Sequence, residues 1–204
     1  MTHVRTIETA RQRTPCSRCG HEARMGVLMV RNRKLESDFA LCDAHYDQWF
    51  TSVWKQGNAS SELACNAQRG PVPCDIFAVL HDMRCSEALV CLVESNGARR
   101  IAVGISWPER HVLSWMLKRE QLIRPYTHQA MASAITQLGG IATHGMIDFA
   151  DHTSSPPLLH AKVFIRHGNK DVQIDVRPSD MFILAVILNF PISVESLILD
   201  SQPA

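Results

Sequence analysis

The chain has 204 residues, with 21 Lys plus Arg against 20 Asp plus Glu, a net charge of +1. That length suits one main core with a small appendage, and the balanced charge excludes a protein that coats nucleic acid by bulk electrostatics. A hydrophobic fraction of 46% with 20% charged residues supplies a sizeable core and excludes a disordered chain.

Charge is nevertheless uneven, because residues 1–34 hold eight basic side chains and two acids, net +6, leaving −5 for the remainder. Such an arm can meet phosphates or an acidic partner, and it can equally be a solvated face. The first residues, MTHVRTIETARQRTP, lack the apolar stretch of a secretory peptide. The longest apolar run, Met181 to Leu188, is too short to cross a bilayer. These features predict a soluble cytoplasmic protein with no membrane attachment. Seven cysteines in such a chain argue for thiols or metal ligands rather than a disulfide framework.

In chain order, a flexible start over residues 1–14 precedes Cys16-Ser17-Arg18-Cys19 and, 22 residues later, Cys42-Asp43-Ala44-His45. Two close pairs of Cys and His ligands separated by a hairpin-sized insert suit tetrahedral Zn²⁺. Met25 to Arg31 and Asp38 to Leu41 can pair across Asn32-Arg33-Lys34, and Cys42 and His45 open a helix bearing Trp49, Phe50, Val53 and Trp54. Four protein ligands (Cys16, Cys19, Cys42, His45) close the site, which makes it structural. This zinc-ribbon-like module, residues 15–54, is too small to bury much core, so the ion would supply folding energy. A polar linker is expected over 55–74. Cys65, Cys74, Cys85 and Cys91 lack a pair pattern and read as buried thiols.

From Asp75 the pattern changes to short apolar segments divided by turns. Ile76 to Met83, Ala88 to Glu94 and Ile101 to Ile105 read as strands, the last two joined by a tight hairpin with Asn96-Gly97 at positive φ. Ser106-Trp107-Pro108-Glu109 fits a capping box opening a helix over 107–119. A second helix begins with Thr127 as N-cap and stops at Gly139-Gly140. A strand over 141–149 follows, then an antiparallel hairpin in which Leu159, Ala161, Val163 and Ile165 alternate with polar neighbours, ahead of Val172, Ile174 and Val176. Ser179 or Asp180 caps a last helix, Met181 to Asn189, apolar on all sides as a buried helix is. Hairpin-paired strands interspersed with helices predict an α+β fold with a mixed or antiparallel sheet, residues 75–204.

The segments VGISWPERHVLSWML, RPYTHQAM and IDVRPSDMFILAVILNFPI resemble the bifunctional nuclease domain family in order, spacing and content. The likeness covers residues 75 to 200, and Asp175-x-Arg177-Pro178-Ser179-Asp180 followed by an apolar helix is its most specific part. It implies an α+β fold and cleavage of phosphodiester bonds in RNA and in single-stranded or duplex DNA. The front segment looks like the small CxxC...CxxH zinc modules found beside such domains in bacteria.

Chemistry read from the residues runs alongside that resemblance. Alternation puts Asp171, Gln173 and Asp175 on the face of their strand opposite Val172, Ile174 and Val176. Arg177 and the unpaired amides at the start of the last helix, with Ser179 among them, form an anion site. Carboxylates at 175 and 180 can hold Mg²⁺ or Mn²⁺, and His128 can serve as general acid or base. Glu109 joins this set through the resemblance, since it matches an acidic position of the family. Each residue also has a plainer reading: Ser179 and Asp180 as caps, Glu109 as partner of Ser106, Arg177 as partner of Asp175, His128 as a helix-start hydrogen-bonder.

Two departures from the family pattern are visible. Gln129 follows His128 where an acid is common, and Asp151 to Pro157 lengthens one connection. The reading is therefore a nuclease with a structural zinc module, nucleic acid as partner, and a homodimer or a protein contact through the zinc module as further associations. Its rival is a module that keeps the fold and binds protein or nucleic acid without catalysis.

Overall fold

The computed structural model describes residues 14–55, 70–97, 99–121, 123–151 and 158–201. Residues 1–13 of the start expected to be flexible, most of the expected linker (56–69, with Cys65) and residues 152–157 of the insertion lie outside the described residues. Strands β1 (Met25–Arg31) and β2 (Lys34–Leu41) precede helix α1 (Asp43–Phe50), which runs on into a π-helical turn, Thr51–Lys55. Then come β3 (Pro71–Asp82), β4 (Glu87–Glu94), β5 (Arg100–Ser106), α2 (Trp107–Lys118), α3 (Thr127–Gln137), β6 (Gly140–Asp151), β7 (Leu158–His167), β8 (Lys170–Val176), α4 (Pro178–Leu188), β9 (Ile192–Glu195) and α5 (Ser196–Asp200).

The fold is α+β, with all nine strands in one mixed sheet of order β2-β1-β3-β9-β6-β7-β8 and β4 and β5 branching from β3. Every pairing is antiparallel except β6 with β9. The long β3 makes this branching possible. Residues 78–82 pair with β1 and residues 71–74 with β9, while 74–81 also pair with β4 around an irregularity at Phe77. The strand starts at Pro71 rather than near Ile76, so the last residues of the expected linker are ladder residues.

The hairpin that carries the metal motif is thus hydrogen-bonded into the main sheet. Its strand β1 buries Val27 on one face and Leu28 on the other. Leu28, Val79, Val90 and Leu92 face the helices α2, α3 and α4. Val27, Leu41, Ala78, Leu80 and Cys91 face Trp49 of α1, with Phe50, Trp54 and Phe77 stacked alongside. A strand covered on both faces reads as a continuous apolar run, which is the pattern of Ala78-Val79-Leu80. The packing is close where Gly26 of β1 pairs with His81 of β3: a Cβ on Gly26 would lie 1.8 Å from Cε1 of His81.

Helix α4 has the sequence expected of a central helix. Met181, Phe182, Ile183, Leu184 and Ala185 are all buried, between the sheet and helices α2 and α3. Its start differs from expectation. Arg177 is the N-cap and Pro178 the first helical residue, because proline has its φ preset for a first turn and no N–H to leave unpaired. Asp180 therefore sits in the first turn with its side chain available for other contacts. Helix α3 likewise begins one residue early, with Tyr126 as N-cap rather than Thr127, since Gln129 Oε1 accepts a hydrogen bond of 3.0 Å from the Tyr126 N–H. The Ser106 and Glu109 capping box forms as read.

The two hairpin turns exchange roles relative to expectation. Asn32 and Arg33, at φ 51° and 56°, form the tight turn between Arg31 and Lys34, whereas at Asn96-Gly97 only Gly97 has positive φ. The last β4–β5 pair is Val93 with Arg100, and the wider loop lets Arg99 reach back to the Glu94 carboxylate. Cys85 is exposed, not a buried thiol, because it lies in the turn after β3, while Cys74 and Cys91 are buried. Strand β8 keeps Val172 and Ile174 exposed on its apolar side, because it is the edge strand and the helices pack over its neighbours.

Candidate functional site

Two polar clusters stand apart from the core. The first is the corner built from Cys16, Cys19, Cys42 and His45, whose ligand atoms all lie within 4.8 Å of one another. Gly20, at φ 75°, turns the chain so that its N–H reaches Cys16 O at 2.9 Å, a conformation that glycine adopts without strain. Cys42 is the N-cap of α1 and His45 lies three residues on, the spacing at which helix residues face each other. Cys19 and Cys42 sulfurs are 3.8 Å apart, and His45 Nδ1 is 3.5 Å from Cys16 Sγ and 3.4 Å from Cys42 Sγ. A tetrahedral zinc with Zn–S of about 2.3 Å and Zn–N of about 2.0–2.1 Å has edges of about 3.8 Å (S to S) and about 3.5 Å (S to N). The donor set and its spacing therefore fit a structural zinc ion.

The thiols themselves point the same way. Burial raises Cys16, yet backbone hydrogen bonds from Cys42, Arg18 and Cys19 outweigh it and bring the thiol down to about 5. Cys19, lowered by the His21 backbone, ends up raised through burial and the neighbouring sulfurs of Cys16 and Cys42. Crowded thiols of this kind ionise together only around a cation. His21, which the spacing of the motif did not single out, places Nδ1 3.2 Å from Cys19 Sγ and is positioned to orient that ligand.

The second cluster forms where the first turns of α2, α3 and α4 meet. Glu109 comes from α2, His128 from α3, and Arg177 and Asp180 from the start of α4. His128 Nε2 is 2.9 Å from Asp180 Oδ1. Arg177 Nη1 donates to Glu109 Oε1 at 3.3 Å, and its Nε lies 3.5 Å from Asp180 Oδ2. Glu109 Oε2 meanwhile accepts from the Ser106 N–H at 2.9 Å. The carboxylates and the imidazole are largely buried, whereas 76% of the Arg177 side chain is exposed. One cation thus stands at the mouth of a site walled by three helix N-termini, each adding partial positive charge.

Asp175 and Ser179 are not part of this contact network. Asp175 lies exposed near the end of β8, accepting from Gln173 Nε2 at 3.3 Å, and Ser179 is buried at the start of α4. Among the described residues, the Cys₃His corner alone brings three or more such ligands together to hold an ion. The carboxylates of Asp175 and Asp180 form no comparable group for Mg²⁺ or Mn²⁺.

A row of rings runs from β3 along α2 to the N-cap of α3. His81, Trp107, His111, Trp115 and Tyr126 follow one another at centroid distances of 5.4, 4.5, 5.8 and 5.2 Å. Arg110 lies over the Trp107 ring and places Nη2 3.1 Å from His81 Nδ1. Burial, with the Arg110 charge, lowers His81 to about 4. The spacing of four from 107 to 115 is the signal that marks this row in the sequence. Among the described residues no helix is long and apolar enough to cross a membrane.

Residues 90–204 match the family model of the bifunctional nuclease domain. No curated protein matches the chain.

Proposed function

The chain belongs to the bifunctional nuclease domain family, and from that premise we propose that it hydrolyses phosphodiester bonds in RNA, DNA or both, with zinc held structurally by Cys16, Cys19, Cys42 and His45. One observation carries the reading: three helix N-termini bring His128, Asp180, Arg177 and Glu109 together although they are far apart in sequence.

In this reading Arg177 and the first-turn amides of α4 hold the phosphate, because exposed N–H groups and a guanidinium both favour its negative charge. Asp180 accepts Nε2–H of His128, which leaves Nδ1 as the basic nitrogen. His128 Nδ1 takes a proton from the attacking water. As the new P–O bond forms, Arg177 neutralises charge on the phosphoryl oxygens. The bond to the leaving oxygen then breaks and that oxygen takes a proton from solvent. Glu109 holds Arg177 from the other side, and the ring row ending at Tyr126 offers faces for unstacked bases. Asp175, exposed two residues before Arg177, lies on the approach to the phosphate.

A second reading, a binding or regulatory module without catalysis, is favoured by the absence of a divalent-ion group around Asp175 and Asp180 among the described residues. The two separate in one experiment. Labelled single-stranded RNA and DNA are incubated with zinc-loaded protein plus Mg²⁺, Mn²⁺ or EDTA, with His128→Ala, Asp180→Asn and Asp175→Ala purified identically. Cleavage that falls about 10²–10⁴-fold in His128→Ala supports the nuclease. Equal cleavage by all variants, or none by wild type, gives the molecule to the binding reading.

A further inference from the structure

Helices α2 and α4 lie side by side and run in the same direction. Their first turns meet at Glu109 and Arg177, and their last turns meet again at the opposite end, where Arg119 and Asn189 terminate them. Into that far junction reaches the turn between β1 and β2, with Arg33 Nη1 donating to Asn189 Oδ1 at 3.0 Å. The result is a cleft of about 450 Å³ lined by Asn32, Arg33, Lys34, Arg119 and Asn189, with apolar α4 side chains behind and no carboxylate in its wall. A second hollow of about 410 Å³ shares Lys34 and Arg119 and adds Lys118, which is already paired with Asp38. Lys34 and Arg119 have no ion-pair partner among the described residues.

The backbone marks the same place. Four described non-glycine residues have positive φ: Asn32 (51°), Arg33 (56°), Arg119 (55°) and Asn189 (56°). All four line this one cleft. Asparagine tolerates that conformation and glycine adopts it freely, but arginine does so against its preference. The tight turn sets that backbone at Asn32 and Arg33 and the helix C-caps set it at Arg119 and Asn189, so one turn and two helix ends converge on the cleft and bring Arg33, Lys34 and Arg119 to its wall. These local roles account for the backbone, and Arg33 also bonds to the α4 terminus, but they leave the side-chain charges of Lys34 and Arg119 without a partner among the described residues.

We propose that this cleft binds a backbone phosphate of the same nucleic-acid strand whose scissile phosphate sits at Arg177. The proposal rests on the nuclease reading and deepens it by defining the substrate as a strand long enough to follow α2, whose 12 residues span about 18 Å. The N-terminal hairpin then contributes directly to substrate binding, although residues 32–34 lie outside the matched family region.

The test is a salt titration of oligouridine binding, followed by fluorescence anisotropy, for wild type and the double variant Arg33→Gly/Arg119→Gly. Glycine keeps the left-handed backbone at both positions, and a thermal melt verifies folding. A third variant, Lys34→Gln, removes charge at an ordinary backbone position. The double variant is expected to bind roughly tenfold more weakly at low salt, with the slope of log K against log salt shallower by about 0.7 per lost phosphate contact. Wild-type affinity should also rise once the strand is long enough to span α2, and that rise should be missing in the double variant. Unchanged affinity and slope in a protein that cleaves would overturn the cleft and leave the nuclease standing. A wild type that neither binds nor cleaves would remove both. Competition by polyglutamate as strong as by unlabelled oligouridine would overturn the assignment to nucleic acid.

Discussion

The Cys₃His corner and the His128–Asp180 cluster are polar sites of similar size that are held together by opposite means. In the corner, ligands from two short segments face one another at the rim of the α1 cluster, with Cys16 buried and Cys19 exposed, and an ion held there would relieve their mutual repulsion. In the cluster, the polar groups sit on the ends of helices that the core already fixes, α4 above all, and they need nothing further to stay in place. Metal-binding free energy would stabilise the first structure, whereas burial stabilises the second. Variants should therefore damage shape in one region and chemistry in the other.

The largest effect separates the two most directly. Cys42→Ala removes one ligand and the residue that begins α1. Structural zinc contributes about 10–16 kcal/mol in small zinc peptides, and here the pairing of β1 with β3 retains part of the hairpin. Hydrogen exchange should speed up across residues 14–50, with loss of stoichiometric zinc by elemental analysis, while 178–188 keeps its protection. Global unfolding on loss of zinc would mean that both regions depend on the ion.

Next in size is a pH effect that belongs to the boundary between the hairpin and the sheet. His81 is lowered to about 4 from an ordinary 6.5 by burial and by Arg110. Between those values the unfolded chain binds the proton and the folded one does not, so stability is full above about pH 6.5 and falls as pH drops toward 4. The loss from this residue is about 3 kcal/mol. Urea unfolding of wild type and His81→Gln from pH 7 to about 4.5 should show the steeper decline in wild type; parallel curves would contradict it.

The cluster should respond in the other sense. His128→Gln removes a charge-assisted contact of partly buried groups and is expected to cost about 1–2 kcal/mol, a shift of a few degrees in Tm. Its effect on cleavage should be far larger. A loss of stability comparable to that of Cys42→Ala would make His128 a structural residue and end the contrast.

These differences also explain what could be read in advance. The corner was legible because its ligands come as two local pairs, and spacing alone limits what such pairs can do. The elements from β4 to α4 were legible from alternation, capping and the apolar run at Met181–Leu188. That His128 would meet Asp180 instead of Asp175 was not, because the contact depends on where α4 starts. Pro178 moves that start ahead of Ser179, and the resulting turn of the chain carries Asp180 toward α3. Nor could local patterns show that β1 pairs with β3, since a hairpin and a distant strand leave no common signal when both simply read as apolar. Arg33 and Arg119 were likewise invisible as a pair, lying 86 positions apart in the chain and joined only by the shared cleft.

The smallest predicted effect concerns Gln129, which occupies a position where an acid would fit the helix equally well. Its side-chain oxygen accepts from the Tyr126 N–H, and a carboxylate can make the same bond while adding negative charge in the first turn of α3. Gln129→Glu should therefore raise stability by about 0.3–1 kcal/mol at low salt, measurable as a small increase in the urea midpoint that disappears as salt rises. The same charge would lie next to His128 in sequence and, in the proposed mechanism, close to the phosphate, where it would oppose Arg177. A variant that is slightly more stable but binds oligouridine less tightly would place the acceptor of α3 on the substrate side of the cluster. If affinity is unchanged, Gln129 only caps the helix, and the proposed phosphate contact is confined to the α4 side.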